Sequence, residues 1–149
     1  MKYYLYLQKK YNKYNMKHIK HLFFIALLLL CFTAANAHDF EAGGIYYNIT
    51  DATNKTVEVT YAGTNYDSHE EYSGNIDIPK SVIYNDTRYS VTSIGENAFR
   101  YCPGVKSITI PGSITSIRGY AFYDCTELTS ITIPNSITSI EDFAFYFCI

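Results

Sequence analysis

The sequence has no apolar run long enough to form a membrane-spanning helix. Its longest run, from Leu22 to Phe32, contains about eleven residues, whereas a helix that crosses a bilayer needs roughly 18 to 20. We therefore expect that the mature protein, after removal of its leader, does not span a membrane.

The run lies inside a pattern typical of a secretory signal peptide. Lys17 and Lys20 precede it, and the small-x-small sequence Ala35-Asn36-Ala37 follows it. We predict that residues 1–37 are a leader and signal peptide, that translation starts at Met16, and that cleavage separates Ala37 from His38. The mature protein would then be secreted or displayed at the cell surface.

A lipid anchor at Cys31 is a less favoured alternative, because Leu30 stands where exported lipoproteins carry a small residue.

Basic residues are also scarce after residue 37. Six Lys and Arg stand there against all fourteen Asp and Glu, which gives a formal charge of −8. Such a chain has no basic stripe to neutralise phosphates, so a nucleic-acid partner is excluded.

Histidine is scarcer still, since His38 and His69 are the two that follow residue 37. No constellation for acid–base or nucleophilic catalysis results, and we predict neither an enzyme nor a cofactor.

His69 with Asp67, Glu70 and Glu71 could hold a cation. HEEYS lacks the second histidine of HExxH, however, and a solvated acidic loop is the favoured interpretation.

What the sequence does contain is a repeat. Residues 91–113 read VTSIGENAFRYCPGVKSITIPGS, and residues 114–136 read ITSIRGYAFYDCTELTSITIPNS, with twelve of 23 positions identical. A third copy begins at Ile137 and runs to Ile149. A fixed period between 20 and 29 residues is typical of a leucine-rich-repeat solenoid.

Each unit combines a strand with a turn. SITI before proline, at Ser107–Pro111 and Ser130–Pro134, alternates apolar and polar residues, which predicts a half-buried strand that the proline ends. The apolar spacing in Ala98–Cys102 predicts a short helical or 3₁₀ turn on the opposite wall. One such unit cannot bury its apolar face alone, so the units must stack.

Residues 38–90 lie outside the repeat and predict a β-rich amino-terminal cap. Gly44–Tyr61 and Ser81–Val91 each contain two alternating runs around polar turn residues, which predicts two β-hairpins. Asn75–Pro79, NIDIP, matches SITIP and predicts the strand of a preceding unit, followed by nine extra residues. The predicted fold is a β-rich solenoid with a 23-residue period and a hairpin cap, its repeats occupying residues 91–149.

Equivalent residues of neighbouring coils should stack about 5 Å apart. For the three repeat cysteines a disulfide, a metal site and a reactive thiol are the alternatives, but three cysteines leave one unpaired and no histidine lies near them in the sequence. A buried column beside the repeat phenylalanines is favoured. This core ladder comprises Phe99, Cys102, Phe122, Cys125, Phe145 and Cys148.

The outward strand face is the predicted ligand surface, because a row of hydroxyls could bind an extended ligand. It comprises Ser107, Thr109, Ser130 and Thr132, with Lys106 and Thr129 at its edge.

The motif ITSIxxxAFxxC at Ile114–Cys125, followed by LTSITIP at Leu128–Pro134, closely resembles the BspA-like leucine-rich-repeat proteins of bacterial cell surfaces. The resemblance covers Asn75–Ile149. The preceding hairpin region is also similar to the amino-terminal part of such proteins from Bacteroides and Prevotella relatives. It implies a curved solenoid, export, and adhesion to host extracellular proteins or to other bacteria, and it brings no catalytic residues.

Members of that family usually carry many repeats and often an anchoring region, whereas this chain ends just after Cys148. We therefore expect a fragment, a truncated reading frame or a relic of a larger adhesin, and a structural spacer or a non-functional truncated copy is the alternative to a binding module. An uncapped last coil would favour self-association.

Overall fold

A computed structural model describes residues 6, 38–63 and 72–148. The chain divides into two units, Met1–Ala34 and Ala35–Ile149, and all described residues except Tyr6 belong to the second. The predicted signal peptide and the acidic segment around His69 lie outside the described residues. Residues 38–63 and 72–148 contain strands and turns and no helix, which confirms that the fold is rich in strands.

The described residues of the second unit form ten strands. In chain order they are β1 (Phe40–Ala42), β2 (Ile45–Asp51), β3 (Thr56–Thr60), β4 (Gly74–Asp77), β5 (Ser81–Tyr84), β6 (Thr87–Ile94), β7 (Val105–Thr109), β8 (Ser116–Ile117), β9 (Ser130–Thr132) and β10 (Ser139–Ile140).

The strands form two sheets. The first has the order β1-β2-β3-β6-β8-β10, with β5 paired to β6, and the second has the order β4-β7-β9. Pairing is parallel from β3 to β10 in the first sheet and throughout the second. The first two coils each contribute one strand to the first sheet, β6 or β8, and one strand to the second, β7 or β9, whereas the third coil contributes β10 to the first sheet.

The parallel registers align equivalent residues of successive coils. Ser93 pairs with Ser116, and Ser107 pairs with Ser130, so both pairs are 23 residues apart. Asn75 pairs with Ser107, which is 32 residues away. The additional nine residues are accommodated by the β5–β6 hairpin before the coils continue.

Both segments that predict hairpins form antiparallel pairs. β2 pairs with β3, and β3 then lies parallel to β6, which joins the hairpin to the repeat sheet. β5 and β6 are connected by Asn85 and Asp86, whose φ angles are 46° and 57°. A two-residue turn of this kind requires left-handed backbone, which Asn and Asp tolerate.

The helical turn predicted for Ala98–Cys102 is wrong, because one residue with a positive φ angle precedes the segment and another lies inside it. Asn97 and Tyr101 have φ angles of 59° and 56°, whereas helical residues need negative φ. Hydrogen bonds close consecutive turns that begin at Gly95 and Phe99, each with a positive φ at its third residue. This is the pattern of type II turns.

We call residues 95–102, 118–125 and 141–148 the turn wall. Its coils are joined by backbone hydrogen bonds. The amide of Phe99 donates to the carbonyl of Ala121 at 2.7 Å, and the amide of Phe122 donates to the carbonyl of Ala144 at 2.7 Å. The turn wall is therefore a third ladder beside the two sheets, and it holds each AF pair in the same place from coil to coil.

Candidate binding surface

The sheet β4–β7–β9 carries two in-register columns of polar side chains. One column contains Asn75, Ser107 and Ser130, and the other contains Asp77, Thr109 and Thr132. Strands in a sheet lie about 4.7 to 4.9 Å apart, so the columns form a regular grid. The intervening isoleucines pack against the core. The polar columns therefore occupy the outward face, and we call this surface the strand face.

Ser107 is half-buried on the strand face, and its hydroxyl donates to Oδ1 of Asn75 at 2.8 Å. Thr109, Ser130 and Thr132 are exposed. The sequence reasoning did not include β4 in this surface. Its alignment with NIDIP was the signal that could have added Asn75 and Asp77.

The two predicted edge residues have different surroundings. Lys106 is exposed, and it stands where the β4–β7 register shifts between Gly74 and Asn75. Thr129 donates two hydrogen bonds to the carbonyl of Lys106, one from its amide at 3.0 Å and one from its hydroxyl at 3.2 Å. The Thr129 hydroxyl therefore joins two coils.

The repeat phenylalanines form a stacked column inside the coils. Phe99 and Phe122 are fully buried, with ring centroids 5.3 Å apart and planes inclined by 9°. Phe122 and Phe145 have centroids 5.0 Å apart and planes inclined by 14°. Aromatic rings in such contacts add to the free energy of burial.

The repeat cysteines Cys102, Cys125 and Cys148 occupy equivalent positions of three successive coils. The Sγ atom of Cys125 donates to the carbonyl of Phe99 at 3.0 Å, and Sγ of Cys148 donates to the carbonyl of Phe122 at 2.9 Å. Cys102 is buried, and Cys148 is partly exposed. The thiols thus contact the backbone of their own or the preceding coil.

Burial is the main cause that raises the pKa values of Cys125 and Cys148 above the ordinary value of a thiol. A protonated thiol is a poor nucleophile and a poor metal ligand. Across residues 38–63 and 72–148, no group of three His, Cys, Asp or Glu side chains is arranged to hold a metal ion.

At the predicted cleavage position, Ala37 lies outside the described residues. His38 is half-buried, and its ring centroid is 4.7 Å from that of Tyr46. Within the described part of the chain, no helix combines the length and apolar character needed to cross a membrane.

Sequence reasoning missed an aromatic surface on the turn wall. Tyr120 stacks on Phe143 with ring centroids 5.2 Å apart, and Tyr123 stacks on Tyr146 with centroids 5.8 Å apart. These pairs repeat at 23 residues outside the AF and cysteine columns. Reading the non-identical positions of the repeat for residue type would have found them.

A cation already lies against these rings. The guanidinium carbon of Arg100 is 4.8 Å from the ring centroid of Tyr101, 5.3 Å from that of Tyr120 and 5.0 Å from that of Tyr123. This geometry is that of a cation–π contact with several rings. The turn wall therefore offers outward aromatic surface that can accept a planar cation.

Stacked coils of short strands and turns define the leucine-rich-repeat class of protein. The sequence model of the BspA type leucine rich repeat region matches residues 72–149, more than half of the chain. The chain therefore belongs to the BspA-type leucine-rich-repeat family, which confirms the resemblance found in the repeat motif. No curated protein matches the sequence.

Solved structures show the same fold. A leucine-rich repeat protein from Bacteroides ovatus is 35% identical with a TM-score of 0.64, over 74% of this chain and 27% of that one. A leucine rich cell surface protein from Faecalibacterium prausnitzii is 30% identical with a TM-score of 0.57, over 73% and 28%. A leucine-rich repeat protein from Bacteroides capillosus is 25% identical with a TM-score of 0.58, over 74% of each chain. The chain thus spans about a quarter of the first two proteins.

Proposed function

We propose that this protein is an exported, cell-surface binding module that recognises host extracellular proteins or bacterial surface proteins through the strand face. The observation that carries the proposal is the in-register polar grid on β4–β7–β9. The family and its cell-surface relative support it. It is a binding scaffold rather than an enzyme, and it needs no cofactor.

The strand face suits an extended protein ligand. Ser130, Thr109 and Thr132 place exposed hydroxyls at regular intervals across neighbouring strands. A hydroxyl donates one hydrogen bond and accepts others, so such a grid can pair with main-chain and side-chain groups of either kind. Lys106 adds a positive charge at the edge.

The proposed domain organisation follows the 23-residue period. Residues 1–37 are the leader and signal peptide, 38–90 the amino-terminal cap, and 91–149 the repeats. Support for the cap comes from the parallel pairing of β3 with β6, which lets β1–β3 continue the repeat sheet on one side. Purification of the exported protein and sequencing of its amino terminus would test the processing, with His38 expected as the first residue.

The binding proposal is tested by replacing small hydroxyl residues with bulky arginine. A panel of immobilised host extracellular matrix proteins and intact bacterial cells is screened with the purified protein. The double variant Thr109→Arg and Thr132→Arg should lose the binding that the unmodified protein shows. Thr53→Arg is the matched control, since Thr53 is exposed in the β2–β3 turn and lies away from β7 and β9.

Retained binding by the double variant would show that the strand face is not the ligand surface. Absence of binding to every matrix protein and cell type would contradict the adhesion proposal and favour a structural spacer. Circular dichroism of each variant separates loss of binding from loss of fold.

Self-association is a second part of the proposal. Ile133, Ile140 and Phe147 are large apolar side chains that remain exposed, and exposed apolar surface favours association. Sedimentation velocity across protein concentrations tests this, and Ile140→Lys should lower the fraction of any dimer. A monomer at all concentrations would rule it out.

A further inference from the structure

The turn wall contains a depression of about 470 Å³. Its lining combines three carboxylate residues with two aromatic residues and a glycine: Glu96, Gly119, Tyr120, Glu141, Asp142 and Phe143. The volume lies within the range of about 300 to 1,000 Å³ that is common for ligand sites. It is separate from the strand face, because the turn wall and β7–β9 occupy different parts of each coil.

The depression exists because a glycine occupies the middle of a column. Glu96, Gly119 and Asp142 are equivalent positions of three successive coils. A Cβ atom at Gly119 would lie 3.5 Å from the carbonyl oxygen of Asp142 and 3.8 Å from Oε2 of Glu141. Both are ordinary contact distances, so a larger side chain would fit the backbone there and would project into the depression.

Stacked rings form the aromatic side of the depression. Tyr120 and Phe143 have ring centroids 5.2 Å apart and planes inclined by 15°. Tyr120 and Tyr123 are only half-buried although the next coil is stacked on theirs. Phe143 is 51% exposed, and it offers the open aromatic surface of the depression.

The charges around the depression are complementary to a cation. Glu96, Glu141 and Asp142 are exposed, and Glu141 Oε2 also accepts a hydrogen bond from the amide of Gly119 at 3.0 Å. The adjacent Arg118 points its guanidinium at Glu58, 3.5 Å away. The guanidinium carbon of Arg100 lies 5.3 Å from the ring centroid of Tyr120, so a guanidinium of the protein itself already lies against an aromatic ring of this wall.

We propose that this depression binds an arginine side chain from a basic segment of a partner protein. The guanidinium would lie against the exposed ring of Phe143 and face the carboxylates of Glu96 and Asp142. Aromatic contact contributes about 0.5 to 1 kcal/mol for a cation at an exposed site, and opposite charge raises the association rate. The formal charge of −8 after residue 37 favours the same class of partner.

The probe is an acetylated peptide of one tryptophan followed by four Gly-Arg pairs. The protein has no tryptophan, so the fluorescence anisotropy of the peptide reports binding without background from the protein. The matched peptide carries citrulline, which keeps the shape of arginine and removes its charge. The arginine peptide should bind, with an affinity that falls as salt rises, and the citrulline peptide should bind at least tenfold more weakly.

Three protein variants locate the site. Gly119→Gln fills the depression without changing the net charge, and it should weaken binding of the arginine peptide several-fold. Phe143→Leu should weaken it about two- to fivefold through the lost ring. Glu96→Gln combined with Asp142→Asn should weaken it and reduce its salt dependence. Gly112→Gln is the control, since a Cβ at Gly112 has nothing within 4 Å, and it should bind as the unmodified protein does.

Equal binding of the two peptides, or full binding by Gly119→Gln, would overturn the proposal. So would binding of a neutral oligosaccharide, such as maltohexaose, in place of the arginine peptide, because aromatic surfaces can also stack on sugars. The strand-face variant Thr109→Arg with Thr132→Arg should retain the peptide. If this double variant loses binding to matrix proteins or cells but still binds the peptide, the result bears on the proposed function and leaves the arginine site unaffected. Thermal unfolding of each variant identifies any that fail to fold.

Discussion

The strand face and the turn wall obey the same 23-residue alignment but present opposite surfaces. On the strand face, extended backbone pairs with its neighbours and leaves Thr109 and Thr132 in solvent. On the turn wall, consecutive turns bond to the next coil and leave Tyr120 and Tyr123 stacked on later rings. Stacking of identical coils thus fixes where side chains align, whereas the local backbone decides which residue types each wall can display.

The comparison also separates residues that hold coils together from residues that face a ligand. Thr129 and Cys125 both donate to a carbonyl of the preceding coil. Thr132 and Phe143 lie on the same walls and are exposed. Substitutions in matched pairs can therefore test whether each wall divides into structural and binding positions.

The largest effect is expected for Phe122→Ala. Phe122 is fully buried between Phe99 and Phe145, and such truncations cost about 3 to 5 kcal/mol through lost burial and the cavity left behind. Urea denaturation would measure the change in the free energy of unfolding. Phe143→Ala, on an exposed ring of the same wall, should cost less than about 1 kcal/mol. Equal losses would contradict the division of that wall into core and surface.

Gly95→Ala should rank second. A Cβ atom at Gly95 would lie 2.7 Å from the carbonyl oxygen of Val59 and 3.0 Å from Cδ of Glu58. The backbone of β3 would have to move, which should cost about 1 to 3 kcal/mol. The control Gly112→Ala has open space around its new Cβ. A drop in melting temperature for Gly95→Ala alone is the expected result, and unchanged stability would mean that β3 does not pack there.

The thiols should differ in reactivity as their burial differs. Burial raises the pKa values of both Cys125 and Cys148. Cys148 is the less buried of the two. Less thiolate is therefore present near pH 8 than in an unfolded chain, and its fraction grows only as pH rises towards the raised pKa. Alkylation followed by peptide mass spectrometry should label Cys148 before Cys125, and both should react rapidly in urea. Faster labelling of Cys125 would contradict the buried column.

Thr129→Val is expected to have the smallest effect that can still be measured. It removes the hydroxyl that donates to the carbonyl of Lys106, and a hydrogen bond of this kind is worth about 0.5 to 1 kcal/mol. Thr132→Val makes the same change three residues later, at an exposed position of β9, and it should leave stability within about 0.5 kcal/mol. Equal effects on the urea midpoint would remove the distinction between these two threonines.

The repeat strand before proline and the two-residue turn at Asn85 and Asp86 could be predicted, because alternation and turn residues are local signals. The short strands β8 and β10, which lie near the start of the second and third coils, could not. β8 is only Ser116–Ile117, and two residues carry no detectable period. Its strand conformation depends on pairing with β6 on one side and β10 on the other.

The turn wall was mispredicted for a related reason. Large aromatic residues disfavour positive φ, yet Tyr101, Tyr120 and Phe143 have φ angles of 56°, 57° and 60°. The apolar spacing alone therefore favoured a helical turn. Hydrogen bonds from one coil to the next stabilise the left-handed residues, and no single repeat contains those bonds.

By itself, the sequence determined the repeat, its family and the residues that share a column, because identical spacing places identical residues in identical positions of stacked coils. It also determined the acidic charge and the scarcity of histidine. Only the tertiary structure decided that Thr129 bonds to the preceding coil, that the aromatic pairs face outward, and that Gly119 opens a depression between Glu96 and Asp142. These features depend on contacts between residues about 23 positions apart, which exist only after the coils have stacked.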